Sequence, residues 1–127
     1  RPQIESLERL QLALIAAMDR NDYKRVLAEN EEFHFTIYRA SNMPMLVEAI
    51  QQLWLKLGPS LNLLYPSYNR SRKGVSHHLD IVGALRAGDA AGARRSMEAD
   101  LRDGAIELEK ALVQDAGQQA DLKMVSN

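Results

Sequence analysis

Apolar residues recur at helical spacing along nearly the whole chain, and this periodicity constrains the fold more than any other feature of the sequence. In the first segment Ile4, Leu7, Leu14 and Met18 follow one another at such intervals, which places them on one face of a helix. The sequence holds no run of alternating β-branched residues, the pattern typical of a strand. The periodicity therefore predicts an all-α fold.

Turn-forming residues divide this pattern into an antiparallel bundle of about five to seven helices, which we expect to form a single domain over residues 1–127. Asn and Asp suit helix caps, and Pro suits the first turn of a helix. Gly58-Pro59 is predicted to kink or interrupt the third helix, because proline removes a backbone donor. Predicted turns lie at Asn21-Asp22, Ser41 to Pro44 and Gly88-Asp89. After the first helix, we expect a second helix over Tyr23–Ala40, a third that begins at Pro44, a fourth over Val75–Ala87 and a fifth that ends at about Val113. Tyr65–Gly74 is predicted as a loop, and the tail after Asp115 is expected to be frayed or to form a short helix.

Composition and charge exclude several classes of protein. Hydrophobic residues make up 46% and charged residues 26% of the 127 residues, which is ordinary for a soluble domain. The net charge of −1 does not favour binding to nucleic acid or to an anionic membrane by this chain. The absence of cysteine excludes disulfides and thiolate metal sites. No apolar run reaches the roughly 18 residues that span a bilayer.

Four polar residues on three predicted helices form a candidate metal site. Asn30 and His34 are four residues apart and therefore share a helix face. His78 and Asp100 lie on two other helices and could converge with them inside the bundle. Two imidazoles and two oxygen donors suit a divalent metal such as zinc, nickel or manganese, or a small anion.

Each of these residues also has a purely structural interpretation. His34 could be a half-buried histidine that hydrogen-bonds a neighbouring helix, and Asp100 could point outward to Arg94 or Arg95. His77 should point about 100° away from His78 on the same helix, so we expect it to be exposed.

Three segments resemble the effector-binding FCD domain of GntR-type bacterial transcription regulators of the FadR-like branch. They are Phe33-His34 followed by Ala40-Ser41 and Pro44, then Leu53 to Pro59, and finally His78 to Asp89 with Ala93, Met97 and Leu101. The resemblance covers about Leu7 to Leu112. It implies a cytoplasmic helical domain that binds a metal, a small organic acid or both, and that follows a DNA-binding winged helix-turn-helix domain absent from this chain.

The family's metal ligands map onto the same four positions. Asn30 stands where the family usually has aspartate, His34 and His78 match its first two histidines, and Asp100 stands where the third histidine falls. Asn30 offers a neutral oxygen in place of a carboxylate, so we expect it to be the weakest or an absent ligand.

Candidate effector-binding residues surround the Gly58-Pro59 break. Lys56 could hold a carboxylate as a point charge, with Asn62 on the other side of the break and with Tyr38 and Tyr65 at the pocket mouth. The alternatives are a surface lysine and ordinary tyrosine packing. Trp54 suits either the core or a dimer interface.

Together these features favour a ligand-sensing domain of a transcription regulator rather than an enzyme. Its predicted partners are a small carboxylate metabolite, a second copy of the chain in a homodimer, and operator DNA only through the missing domain, with no membrane. Two alternatives stay open: a metal-dependent enzyme on a helical bundle, and a dimerisation module whose metal site has decayed.

Overall fold

Six α-helices and one short 3-10 turn make up the computed structural model, which describes residues 1–65 and 67–126. The helices are α1 (Pro2–Asp19), α2 (Tyr23–Ala40), α3 (Pro44–Leu61), α4 (Ser67–Ser71), α5 (Lys73–Ala87) and α6 (Ala90–Val125), and the 3-10 turn Asn62–Leu64 follows α3. No strand occurs among the described residues. The predicted all-α fold is therefore confirmed. None of the helices in this described part combines the length and the apolarity needed to cross a membrane.

The helix boundaries follow the capping residues of the sequence. The Asp22 side chain accepts a hydrogen bond from the backbone of Arg25 at 3.2 Å and so caps α2. Asn42 adopts a left-handed φ of 56° before α3, whose first residue is Pro44. Gly88 takes a φ of 72° at the end of α5, a conformation that glycine adopts without steric cost.

Packing pairs α1 with α2 and α5 with α6, and α1 also contacts α5. One buried apolar cluster joins Leu7, Phe33, Ile81 and Val82, which come from α1, α2 and α5. A second cluster, with Leu14, Met18 and Val26 among its members, fixes the other end of the α1–α2 pair. These two clusters hold rigid the three helices that carry Gln11, His34 and His78.

The C-terminal ends of α6 and α3 differ from the sequence prediction. α6 continues to Val125 rather than ending near Val113, because the intervening residues contain no proline and only one glycine, Gly117. α3 continues through Pro59 to Leu61, so the helix is not interrupted at Gly58-Pro59, and the kink that was the other expectation there stays a prediction. A proline this close to a helix end removes only one hydrogen bond from the last turn.

The predicted loop Tyr65–Gly74 contains the short helix α4, and α5 begins at Lys73 rather than Val75. Buried Asn69 donates a hydrogen bond to the Met18 carbonyl at 3.3 Å and ties this segment to the end of α1. Such a tertiary contact has no sequence signal. Pro66, which the predicted loop also includes, lies outside the described residues.

Candidate metal centre

His34, His78 and Asp100 converge in the interior of the bundle. Each offers one ligand atom, and these atoms lie within 4.8 Å of one another. The Oδ2 atom of Asp100 is 2.9 Å from Nε2 of His34 and 3.2 Å from Nε2 of His78. The three residues are 2%, 1% and 6% exposed respectively, so water has little access to the cluster.

Aromatic packing fixes both imidazole rings. The His78 ring stacks on Phe33 with centroids 3.9 Å apart and an interplanar angle of 4°. The His34 ring lies between His78 at 5.2 Å and Trp54 at 5.8 Å. Rings held in this way keep their nitrogens directed at one point, which pre-organises the site.

Gln11 determines which nitrogen of His78 faces the cluster. The Gln11 amide nitrogen donates to the Val75 carbonyl at 3.3 Å, so its oxygen is left to accept from His78 Nδ1 at 2.8 Å. The hydrogen of the neutral ring is therefore on Nδ1, and Nε2 presents a lone pair. Sequence reasoning missed Gln11. Its signal was a polar residue placed in the apolar stripe of Leu7, Leu14 and Met18.

The His78 Nε2 atom consequently lacks a satisfactory partner. It is buried and has no hydrogen-bond partner among residues 1–65 and 67–126. Its neighbour is the Asp100 carboxylate oxygen at 3.2 Å, and two lone pairs at that distance repel unless a cation or proton lies between them. The residues present thus fit a bound cation.

The charge states agree with this geometry. Burial lowers the pKa of His78, although the contact with Asp100 acts in the opposite direction, so the ring stays neutral. Burial alone would raise the pKa of Asp100, but its contacts with His34 and His78 outweigh burial and hold that pKa below its ordinary value. A metal binds imidazole in its neutral form, so the single carboxylate of Asp100 would leave a divalent ion held here with a net positive charge.

A cavity of about 370 Å³ opens beside this cluster, between the α3 end of the bundle and α6. His34, Asp100 and the half-buried Asn30 line it. All four predicted metal-site residues therefore border the same space or the cluster beside it, and Asn30 is the one outside the three-residue convergence. The outward orientation considered for Asp100 is wrong. Arg94 contacts Glu98 at 2.8 Å, and Arg95 lies 3.9 Å from Asp89.

The predicted effector residues are more scattered. Lys56 is exposed, and it is not among the residues that line the cavity. Asn62 is exposed and donates its amide to the Pro59 carbonyl at 3.3 Å. The Tyr38 hydroxyl lies 3.4 Å from His34 Nδ1, but Tyr38 lines a separate hollow with Ile50 and Met97. Their role in effector binding stays a prediction.

Tyr65 lines the cavity, which is one of the two roles that the sequence left open for it. Two further side chains near the site, Tyr68 and His77, differ from the sequence interpretation. Tyr68 also lines the cavity and was missed because it lies in the segment predicted as a loop. His77 is partly buried, not exposed, and its Nε2 lies 2.7 Å from Asp103 Oδ2. It faces away from the cluster as expected, but it rests on α6 rather than in solvent.

Comparison with known proteins identifies the family of the chain. The family model described as the FCD domain matches residues 1–103. The HTH-type transcriptional regulator McbR of Escherichia coli (strain K12) is 36% identical over 95 residues, which are 73% of this chain and 41% of that protein. The solved structure of E. coli McbR/YncC has a TM-score of 0.80 at 29% identity, over 87% of this chain and 56% of that one.

The chain therefore spans about half the length of these relatives. The family model covers most of the chain, including every residue of the His34–His78–Asp100 cluster. The predicted resemblance to the FCD domain of GntR-type regulators is thus confirmed, and the chain belongs to the FCD domain family.

Proposed function

We propose that this chain is the ligand-sensing domain of a transcription regulator and that a divalent metal bound by His34, His78 and Asp100 is the anchor for an organic acid. Its family and its similarity to a protein named as a transcriptional regulator support the regulatory role. The observation that carries the metal site is the buried Nε2 of His78, which lies 3.2 Å from an Asp100 carboxylate oxygen and has no hydrogen-bond partner among the described residues. Asn30 is a further neutral donor at the edge of the cavity.

The donor set indicates what such an ion would supply. The separations of 2.9 and 3.2 Å around Asp100 are short enough for these residues to hold one ion at ligand distances of about 2.0–2.2 Å. Mixed nitrogen and oxygen ligands suit zinc, nickel or manganese. Since the ion would keep a net positive charge, an anionic oxygen of the effector would complete its coordination.

The proposed regulation passes through the bundle to other domains. An acid bound at the cluster contacts groups from α2, α5 and α6, so its binding favours one relative placement of these helices. In a homodimer this preference would alter the spacing of two attached DNA-binding domains and their fit to a two-fold operator. Sedimentation of this chain tests the homodimer, and a monomer at tens of micromolar would contradict self-association by this domain.

The metal site is tested by calorimetric titration of chelator-treated protein with zinc, nickel and manganese. Asp100→Asn should abolish binding, because it removes the one anionic ligand while keeping the size of the side chain. Asp103→Asn is the matched control on the same helix, since Asp103 contacts His77 and lies outside the cluster. Equal metal affinity in the Asp100→Asn and wild-type proteins would overturn the proposed site.

A further inference from the structure

The cavity beside the cluster has polar groups close to the cluster and an apolar body formed by the rest of its lining. Its polar groups near the cluster are Asn30, His34, Asp100 and the hydroxyls of Tyr65 and Tyr68. The remaining wall is almost wholly aliphatic or aromatic, and its side chains come from the first part of α2, from α3, from the 3-10 turn and from α6. They are Leu27, Trp54, Leu57, Leu61, Leu64, Leu101, Ala105, Leu108 and Leu112.

The charges on this wall disfavour a second anionic group on the ligand. No lysine or arginine is among the described residues that line the cavity, and Glu109 is the lining carboxylate besides Asp100. A dicarboxylate could place one carboxylate at the metal, but its second carboxylate would lie against leucines and lose part of its hydration without gaining a cationic partner. The cavity therefore favours a ligand with a single anionic end.

The two tyrosines strengthen that single anchor. Burial, and then the charge of Asp100, raise the pKa of Tyr65 to about 12. The same two causes, with smaller contributions from other groups, raise the pKa of Tyr68 above its ordinary value. Both hydroxyls therefore remain protonated at neutral pH and are able to donate hydrogen bonds to a carboxylate beside the ion.

Gly104 keeps the cavity open next to the anchor. It follows Asp100 by one helical turn and lines the same space. A Cβ atom built at Gly104 has no neighbour within 4 Å. Glycine inside a helix lowers stability relative to alanine. Gly104 therefore costs the fold some stability, and in return it leaves room beside Asp100 for the first carbons of a ligand.

We infer that the effector is a monocarboxylate with an extended apolar body, such as a medium-chain fatty acid, rather than a short polar acid. This inference rests on the proposed function, because the carboxylate is anchored at the metal and only the tail fills the apolar body. A cavity of about 370 Å³ lies within the range of small-molecule sites. Each methylene buried there should tighten binding about fourfold.

The test is a titration of the zinc-loaded chain with butanoate, hexanoate, octanoate and succinate, followed by calorimetry. We expect affinity to rise roughly fifteenfold for each two methylenes added and succinate to bind more weakly than hexanoate. Octanoate should lose most of its affinity after treatment with a chelator.

Two glycine variants distinguish the cavity from the helix surface. Gly104→Leu fills the space beside Asp100 and should weaken octanoate binding at least tenfold, while zinc affinity and the helical circular dichroism stay unchanged. Gly117→Leu is the matched control, because Gly117 lies in the same helix, is exposed and also has open space at its Cβ position. It should bind octanoate as the wild type does.

The outcomes separate this inference from the proposed function. If zinc binds but the affinity for the acids does not rise with their chain length, or if succinate binds most tightly, the apolar effector is overturned and the metal site stands. An equal loss of octanoate affinity in Gly104→Leu and Gly117→Leu also overturns the apolar effector. If octanoate still binds after chelation, the apolar ligand class is supported and the metal is overturned as its anchor. If zinc does not bind at all, the proposed function itself is overturned.

Discussion

At the scale of single residues, Gln11 is the side chain through which α1 acts on the candidate metal centre. Replacing it with Leu leaves His78 Nδ1 and the Val75 carbonyl without their present partners. We expect Gln11→Leu to reduce metal affinity by about 10–100-fold, as loss of a group that orients a ligand does. It should also cost about 1–3 kcal/mol of unfolding free energy.

Calorimetry and urea unfolding measure these two effects of Gln11→Leu. The exposed Gln3 on the same helix supplies the matched control, Gln3→Leu, which should change neither quantity. Wild-type metal affinity in Gln11→Leu would show that the orientation of His78 does not depend on this hydrogen bond.

The protonation of His78 and Asp100 predicts how stability depends on pH in metal-free protein. Burial lowers the pKa of His78, so below about pH 6.5 the unfolded chain binds a proton that the folded chain does not. Burial opposes the low pKa of Asp100, but its histidine contacts prevail. The ionised Asp100 therefore stabilises the folded chain above about pH 3.9, and this contribution is lost as the pH falls through the pKa of Asp100 in the folded state.

Both effects have the same sign, so stability should fall as pH decreases from about 6.5. Urea unfolding at a series of pH values, with chelator present, measures the slope. His78→Gln should flatten it between about pH 6.5 and 5. An unchanged slope in that variant would mean that His78 does not titrate differently in the folded and unfolded chains.

Sequence reasoning reached the residues with strong chemical identity and missed those whose role depends on tertiary placement. The spacing of Asn30 and His34 and the family resemblance pointed to the four candidate ligands. Gln11 stands in an apolar stripe, which indicates a buried polar group but not its partner, a residue 67 positions away. Nothing local to Tyr68 indicates a neighbour on another helix. Their positions become evident only when the helices are packed.

At the scale of helices, the cap of α6 makes a specific prediction. Asp89 Oδ1 accepts a hydrogen bond from the Gly92 backbone at 2.8 Å, and a side chain at Gly92 would clash with that carboxylate. Asp89→Ala should therefore cost about 0.5–2 kcal/mol of unfolding free energy. Asp121→Ala, an exposed non-cap position on the same helix, should stay within about 0.5 kcal/mol of wild type. Equal costs in urea unfolding would contradict the capping role.

The same local chemistry explains which helix boundaries the sequence predicted well. The ends of α2 and the start of α3 coincide with Asp22, Ala40 and Pro44, where caps and proline act within a few residues. The start of α5 and the end of α6 were wrong because no such residue marks them. Arg72, not a glycine, takes the left-handed φ of 55° before α5, and that conformation is rare enough for arginine to go unpredicted.

At the scale of the whole molecule, the cluster connects four helices whose sequence separations are large. Gln11, His34, His78 and Asp100 come from α1, α2, α5 and α6, and each touches another member. A ligand that binds only the folded arrangement stabilises all four helices together, by about 2.7 kcal/mol at one hundred times its dissociation constant. The last part of α6 is different, since none of its residues after Leu108 is buried.

This difference predicts the pattern of amide hydrogen exchange. Zinc should slow exchange across the buried parts of α1, α2, α5 and α6 by a common factor, because these amides exchange through global unfolding. Amides of residues 114–125 should exchange through local fraying and show no response to zinc. Mass spectrometry of exchanged peptides measures both regions in one sample, and Asp100→Asn, which lacks the anionic ligand, should show no response anywhere. Slowing confined to α5 and α6 would mean that His34 is not a ligand, and the site would then join two helices instead of the whole bundle.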